Sequence, residues 1–289
     1  MTADRLPTAD RLAAIAERKR SGTPIVMLTA YDHASALAAD AAGVDIVLVG
    51  DSLATTSLGL ASTRDVTLDE MLTFARAVGR AVLSALVVGD MPFGTYEASD
   101  ALAVATARRF VDAGCDAVKM EGGGDTVARA AAVIAGGIPV MGHIGLAPQQ
   151  LGAGDAPRVQ GRSAEAALRL VDDGLQLQRA GCFAIVIEAV PAAVTERIAP
   201  LFQAPLIGIG AGSAAHGQVL VTYDLLGLTS GRVPKFVKPY AHLREAMEDA
   251  MTRFASDVRA RSFPEETLAY AVPAEELEAL ERAIAGRRR

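Results

Sequence analysis

Four carboxylates in this chain stand where short apolar runs give way to polar residues. Gly50, Asp51 and Ser52 follow the run Asp45 to Val49, and Gly89 and Asp90 follow Ala85 to Val88. Lys119, Met120 and Glu121 close the run that begins at Ala117, and Glu188 follows Phe183 to Ile187. A fifth run, Ile138 to Met141, is followed by Gly142 and His143. One acid in such a place is more often a helix N-cap or a solvated turn residue. Four at the ends of separate runs point to one shared pocket. Lys119 and Glu121 are two apart, so on a strand both side chains point the same way, and a lysine in an apolar run needs a partner. Converging carboxylates repel one another unless a cation neutralises them, and hard oxygen ligands without paired Cys or clustered His suit Mg²⁺ better than Zn²⁺. The expectation is a divalent metal held by Asp51 and Asp90, with Glu121 in or near its shell. Mg²⁺ held by few carboxylates keeps open positions for a bidentate ligand such as a 2-oxo acid, whose carboxylate Lys119 would meet. Glu188 then serves proton removal or later proton transfer. His143 is a candidate for the pocket, with an orienting hydrogen bond, a packed ring and a direct catalytic role all open.

The elements that must position these residues follow from hydrophobic patterning. Besides those five runs, Ile25 to Thr29, Leu206 to Ile209 and Val219 to Thr222 have the length and composition of buried strands. Helical periodicity lies between most of them, clearest in Leu68, Met71, Leu72, Ala75, Val78 and Val82. Thr67 and Glu70 form a capping box at that helix, a further helix starts at Ser163, and a last one follows Pro273. An Ala-Gly pair precedes three of the runs, at Ala42, Ala113 and Ala180, where each glycine suits the left-handed position ending a helix. Eight strands alternating with helices favour a (β/α)8 barrel, a TIM barrel, over an open doubly wound sheet. Active sites of such barrels lie at the C-terminal strand ends, which is where the acids stand. With no evident linker, residues 1–289 read as one domain, with a C-terminal helical extension from about 263 packed outside the barrel. The polar, Gly-rich stretch Gly152 to Arg162 reads as a mobile loop over one face.

Composition narrows the partners. The chain of 289 residues carries 28 Lys and Arg against 34 Asp and Glu, a net charge of −6, which excludes a nucleic-acid binder by charge. Aromatic residues make up only 4% and Trp is absent, so the core rests on Ala, Val, Leu and Ile. Met1 to Arg11 has no apolar stretch of a signal peptide, and the longest uncharged apolar stretch, Ala131 to Gly142, is too short and Gly-rich for a membrane span. These features predict a soluble cytoplasmic protein acting on small molecules, with no nucleic-acid or membrane partner. Cys115 and Cys182 each stand just before an apolar run and read as small packed hydrophobes. The glycine run Gly208 to Gly212 lacks a third glycine at Ser213, so a tight turn is at least as good a reading as a phosphate loop. The cluster Arg232, Lys235 and Lys238 reads as a solvated loop.

Longer segments carry a resemblance. MLTAYD at Met27 to Asp32, VGDSL at Val49 to Leu53, VVGDMPFGTYE at Val87 to Glu97, VKMEGG at Val118 to Gly123, PVMGHIGLAPQ at Pro139 to Gln149 and GRVPKFVK at Gly231 to Lys238 occur in order. With VTLDEM at Val66, VQGR at Val159 and IGIGAG at Ile207, this set resembles the ketopantoate hydroxymethyltransferase (3-methyl-2-oxobutanoate hydroxymethyltransferase) family. The resemblance implies a phosphoenolpyruvate/pyruvate-like barrel assembled as a large homo-oligomer, typically a decamer. It implies Mg²⁺-dependent transfer of a one-carbon unit from the co-substrate 5,10-methylenetetrahydrofolate to 3-methyl-2-oxobutanoate, giving 2-dehydropantoate for pantothenate biosynthesis. By motif, Asp51 and Ser52 touch substrate, Asp51 and Asp90 bind Mg²⁺, Asp90 also meets substrate, Lys119 holds substrate, Glu121 belongs to the metal site and Glu188 is the proton acceptor. The sequence departs from the family pattern at His33, Leu60, Ala61, His216, Tyr223 and the loop 151–158, none of them a metal or acid-base position. The alternatives are a paralogue acting on another 2-oxo acid, a lyase or mutase of the isocitrate-lyase type, and a non-catalytic barrel. A lyase of that type needs a reactive cysteine on a lid, whereas Cys115 and Cys182 fall at strand beginnings.

Overall fold

The short runs of Val, Ile, Leu and Ala pair in parallel, as expected of strands too apolar to leave either face in water. In the computed structural model, which describes residues 5–152, 156–231 and 233–287, they form a closed barrel in sequence order. The strands are β1 (Ile25–Thr29), β2 (Ile46–Val49), β3 (Leu86–Asp90), β4 (Ala117–Glu121), β5 (Val140–Gly145), β6 (Ala184–Glu188), β7 (Leu206–Ile209) and β8 (Gly217–Leu220). β8 returns to β1, with Ile25 opposite Gly217 and Leu28 opposite Leu220. The helices are α1 (Thr8–Ser21), α2 (His33–Ala41), α3 (Leu53–Thr56), α4 (Leu68–Gly79), α5 (Asp100–Asp112), α6 (Asp125–Ala135), α7 (Ala164–Ala180), α8 (Ala192–Ile198), α9 (Thr222–Leu225), α10 (Leu243–Ala260) and α11 (Ala274–Arg287). Thr67 and Glu70 cap α4 reciprocally, and the Ser163 hydroxyl caps α7.

Side-chain alternation sorts the core into two clusters. Ile25, Met27, Ile46, Leu48, Leu86, Val88, Ala117, Met141, Ala184, Val186, Ile207 and Val219 fill the barrel interior, and Ile15 of α1 joins them at its N-terminal end. A larger cluster, with Val47, Val87, Val118, Val140 and Ile185 from the outward faces, packs between the strands and helices such as α4 and α5. Because the side-chain period of a strand is two, the inward phase 86, 88 continues to Asp90, 117 continues to Lys119 and Glu121, 141 to His143, and 184, 186 to Glu188. Parity alone therefore aims Asp90, Lys119, Glu121, His143 and Glu188 into the lumen, whereas Asp51 reaches it from the turn after β2.

Two strands differ from the pattern-based expectation. β5 runs on to Gly145, past the expected end at Met141, because pairing with β4 and β6 carries the backbone through Gly142 and Gly145, which interrupt the apolar run. β8 begins at Gly217 instead of Val219, its first two residues pairing with β1 and β7 although neither is apolar. The connection from β7 to β8, residues 210–216, contains no helix. On the neighbouring wall Val26 of β1 is 46% exposed. The glycine run makes a tight turn, Gly210 and Gly212 both having positive φ, and Gly212 accepts a hydrogen bond from the Gln218 amide. Cys115 and Cys182 are free and buried at the starts of β4 and β6. His216 accepts a hydrogen bond from the Leu206 N–H through Nδ1, and burial, with Lys19 nearby, lowers its pKa to about 4.

The chain divides into two compact units, one ending at Ala241 and one from His242 onward. In the second, α10 exposes Leu243, Met247, Met251, Phe254 and Val258 along one face, and Phe254 meets Phe263 edge-on at 5.3 Å. Of the basic cluster, Arg232 lies outside the described residues, and Lys238 stacks on the Tyr240 ring at 4.9 Å. Residues 153–155 of the Gly-rich stretch lie outside them too.

Candidate active site

The C-terminal mouth of the barrel holds a cavity of about 120 Å³, lined by Asp51, Ser52, Asp90, Lys119, Glu121, His143 and Glu188. All seven residues singled out in the sequence therefore face one space. That volume exceeds the roughly 10–15 Å³ that admits one water and suits a small organic acid. Met27, Leu48, Val186, Ile209, Val219 and Val221 supply its apolar wall.

Asp51, Asp90 and Glu121 each present a carboxylate oxygen, and these atoms lie within 4.8 Å of one another. All three side chains are buried. Lys119 Nζ donates to both oxygens of Asp90 at 2.7 Å and to Glu121 Oε1 at 3.2 Å. The Asp51 backbone N–H donates to Asp90 Oδ2 at 3.2 Å. Burial works against the Lys119 ammonium, but Asp90, Glu121 and Asp51 outweigh it and hold its pKa well above the ordinary value. Asp51 moves the other way: burial and the charges of Asp90 and Glu121 push its carboxyl well above the usual range. Glu121 falls to about 2, because Lys119 and His143 together with their hydrogen bonds overcome its burial. Even with the His143 ring, which is raised to about 9 beside Glu121, counted alongside the Lys119 ammonium, three carboxylates leave an excess of negative charge, all on hard oxygen atoms. That donor set fits Mg²⁺.

His143 stands between two acids. Its Nδ1 is 3.1 Å from Glu121 Oε1, and its Nε2 is 3.3 Å from Glu188 Oε2, too far off line for a hydrogen bond. Burial lowers the imidazole pKa, but Glu121 outweighs it and the ring rises to about 9. Glu188 keeps 18% of its side chain exposed, so of the two acids flanking His143 it is the one open to the cavity's entrance. Gly145, with φ of 96°, brings β5 so close that a Cβ there would lie 2.2 Å from the Glu188 carbonyl. Ser52 is held by the buried Tyr31 hydroxyl at 2.8 Å, and Tyr31 meets Tyr223 edge-on.

Sequence reasoning passed over two residues that frame this cluster, Gln149 and Tyr96. Both sit inside quoted motifs, but their partners come from different loops, which no spacing reveals. Thr63 and Pro148 also line the cavity from short 3-10 turns.

Residues 10–266 match the family model described as ketopantoate hydroxymethyltransferase. The chain belongs to the ketopantoate hydroxymethyltransferase family. It is 51% identical over 250 residues to the 3-methyl-2-oxobutanoate hydroxymethyltransferase of Nitratidesulfovibrio vulgaris strain DP4, a match covering 86% of this chain and 81% of the relative. The protein of that name from Thermobifida fusca is 48% identical over 93% of this chain and 95% of its own. Among solved structures, phosphonopyruvate hydrolase with oxalate and Mg²⁺ has a TM-score of 0.60 at 16% identity, covering 96% of this chain and 98% of that one. For 2,3-dimethylmalate lyase, of the PEP mutase/isocitrate lyase superfamily, the TM-score is 0.57 at 17% identity, with 96% and 98% covered. These neighbours share the barrel fold. As a member of the ketopantoate hydroxymethyltransferase family, the chain is a transferase. Among the described residues no helix is long and apolar enough to cross a membrane.

Proposed function

We propose that this enzyme transfers a hydroxymethyl group from 5,10-methylenetetrahydrofolate to 3-methyl-2-oxobutanoate, giving 2-dehydropantoate for pantothenate biosynthesis. The observation that carries the reading is the convergence of Asp51, Asp90, Glu121 and Lys119 on one small cavity in a chain of this family. In balance, the substrate loses its C3 proton, C3 bonds to the folate methylene carbon, water supplies the hydroxyl oxygen and tetrahydrofolate leaves. Asp51 and Asp90, with Glu121, would hold Mg²⁺, which when bound polarises the keto group of a 2-oxo acid and makes the adjacent C–H more acidic. Lys119 and Ser52 hold the substrate at the cavity wall, and Asp51 and Asp90 meet it as well. The apolar wall from Met27 to Val221 receives its branched carbon chain and excludes water. Glu188 takes the C3 proton, with His143 Nε2 3.3 Å from its carboxylate.

The test follows the C3 proton of 3-methyl-2-oxobutanoate by NMR in D2O with Mg²⁺, with and without methylenetetrahydrofolate. Metal-dependent exchange, followed by 2-dehydropantoate once folate is added, is the expected result for the wild type. Glu188→Gln should slow exchange by about 10²–10⁴-fold, the usual contribution of general acid–base catalysis. No exchange with metal bound would sink the reading. Exchange without product would point to a paralogue using another donor or another 2-oxo acid. The isocitrate-lyase type of chemistry finds no lid cysteine here, since Cys115 and Cys182 are buried at strand beginnings.

The reading includes a cytoplasmic homo-oligomer, a decamer by family resemblance. The apolar face of α10 supports assembly, because Met247, Met251 and Phe254 are each about half exposed in the single chain. Met251→Asp should lower the mass measured by light scattering, and an unchanged mass would remove α10 from the interface.

A further inference from the structure

Gln149 and Tyr96 line no part of the cavity, yet they fix the atoms that do. Gln149 is 1% exposed, in the 3-10 turn Pro148–Gln150 after β5, and Tyr96 is 2% exposed in the segment between β3 and α5. The Gln149 amide Nε2 donates to Asp51 Oδ2 at 3.0 Å and to the Met91 carbonyl at 3.1 Å. Its backbone N–H donates to Glu121 Oε2 at 3.1 Å. Tyr96 accepts the Glu121 N–H at 3.3 Å, so the one phenolic proton is free to go to Gln149 Oε1, 3.0 Å away. That proton fixes which end of the Gln149 amide is oxygen, and with it the amino group facing Asp51. The lack of a side chain at Gly122, which has φ of 97°, leaves space for the Gln150 side-chain amide, whose nitrogen a Cβ there would meet at 2.1 Å.

We propose that Gln149 and Tyr96 are positioning residues that set the mutual orientation of the Asp51 and Glu121 carboxylates, and through it the affinity of the acidic cluster for a divalent cation. A neutral amide suits this task because it grips two carboxylates at once without adding charge, where a lysine would neutralise them and a glutamate would repel them. The amide and backbone N–H each occupy one oxygen, Asp51 Oδ2 and Glu121 Oε2, while the second Glu121 oxygen meets Lys119 and His143. Tyr96 acts at one remove, through Gln149 and through the Glu121 backbone. This proposal rests on the cation reading given above.

The test is calorimetric titration of the full-length protein with Mg²⁺, repeated with Mn²⁺, beside thermal melts in chelator. Gln149→Met should weaken cation binding by about 10–100-fold, the usual effect of removing an outer partner of metal-ligating groups. Tyr96→Phe deletes a single oxygen that does not line the cavity and should weaken it in the same sense by about 10-fold. Adding Tyr96→Phe to Gln149→Met should cost less affinity than Tyr96→Phe does alone, because the two act through shared atoms. If both variants melt lower in chelator but bind Mg²⁺ like the wild type, the pair is merely structural and the proposal falls. Should Gln149→Met fail to fold, the Tyr96→Phe titration decides by the same criterion. A wild type that binds neither ion in the millimolar range would overturn the cation reading and the positioning role with it, an outcome distinct from variants that match a binding wild type.

Discussion

Both ends of this barrel bury charged side chains, and they treat them in opposite ways. At the N-terminal end Asp116 accepts from Arg11 at 2.6 Å, Arg5 at 2.9 Å, Thr8 at 2.6 Å and the Val87 N–H at 2.8 Å. Arg11 also donates to the carbonyls of Ala85 and Leu6. One carboxylate there meets two guanidiniums, and both carboxylate oxygens of Asp116 are engaged. At the C-terminal end Asp90 and Glu121 share the ammonium of Lys119, His143 adds a second cation against Glu121, and Asp51 is held by a neutral amide. The carboxylate at the N-terminal end, with cations on two sides, ties α1 to β3 and β4 and serves the fold. The unmatched set is held in place by its surroundings at a cost in stability, and its surplus negative charge is what a cation and an oxo acid can use.

The contrast can be broken most directly at Arg11. Arg11→Met leaves Asp116 with a buried charge short of its closest partner and should destabilise the protein by about 3–5 kcal/mol in denaturant unfolding. Mg²⁺ affinity and turnover of the folded fraction should stay at wild-type values; a loss of cation binding would show that the two ends are not independent. The reverse holds at the mouth. Asp51→Asn removes one of three mutually repelling charges, so in chelator it should raise stability on the order of 1 kcal/mol, about 2–4 °C in Tm, while abolishing stabilisation by Mg²⁺. A lower Tm would mean that Asp51 is as well matched as Asp116. The smallest effect concerns pH. The folded-state pKa of His143, about 9, lies above its ordinary value of 6.5, so its stabilising contribution is complete below about pH 6.5 and is lost as pH rises through 9. In chelator the wild type should therefore lose more stability between pH 6.5 and 9 than His143→Gln does, and parallel curves would show that the ring stays neutral.

How far the sequence foretold this division depends on where each partner sits along the chain. Asp51, Asp90, Glu121 and Glu188 were legible because a parallel barrel gathers the C-terminal ends of its strands, and strand ends are local features of a sequence. The twofold side-chain period then aims Lys119 and His143 inward with no further information. The Arg11–Asp116 pair was not legible, since 105 residues separate the partners and nothing in the spacing of Met1 to Arg11 points to a partner at the start of β4. Gln149 and Tyr96 lay in recognisable segments, but their part depends on two loops meeting, 53 residues apart, over a third strand. The true extents of β5 and β8 were hidden for a related reason: Gly142, Gly145 and Gly217 are strand residues by virtue of their neighbours' pairing, whatever their own preference.

The helix-free connection between β7 and β8 has a bearing on how the chain reaches this form. The ring is sealed by contacts such as the one between Thr29 and Thr222, 193 residues apart, and loop closure over such a span is slow compared with the pairing of successive strands. Until residues 217–220 have left the ribosome, β1 keeps an unpaired edge, and so does the strand most recently made. Since only residues 210–216 separate the last two strands, β8 emerges almost together with β7. The period in which both edges lie open to another nascent chain thus ends sooner than it would if a full helix had to be synthesised between them.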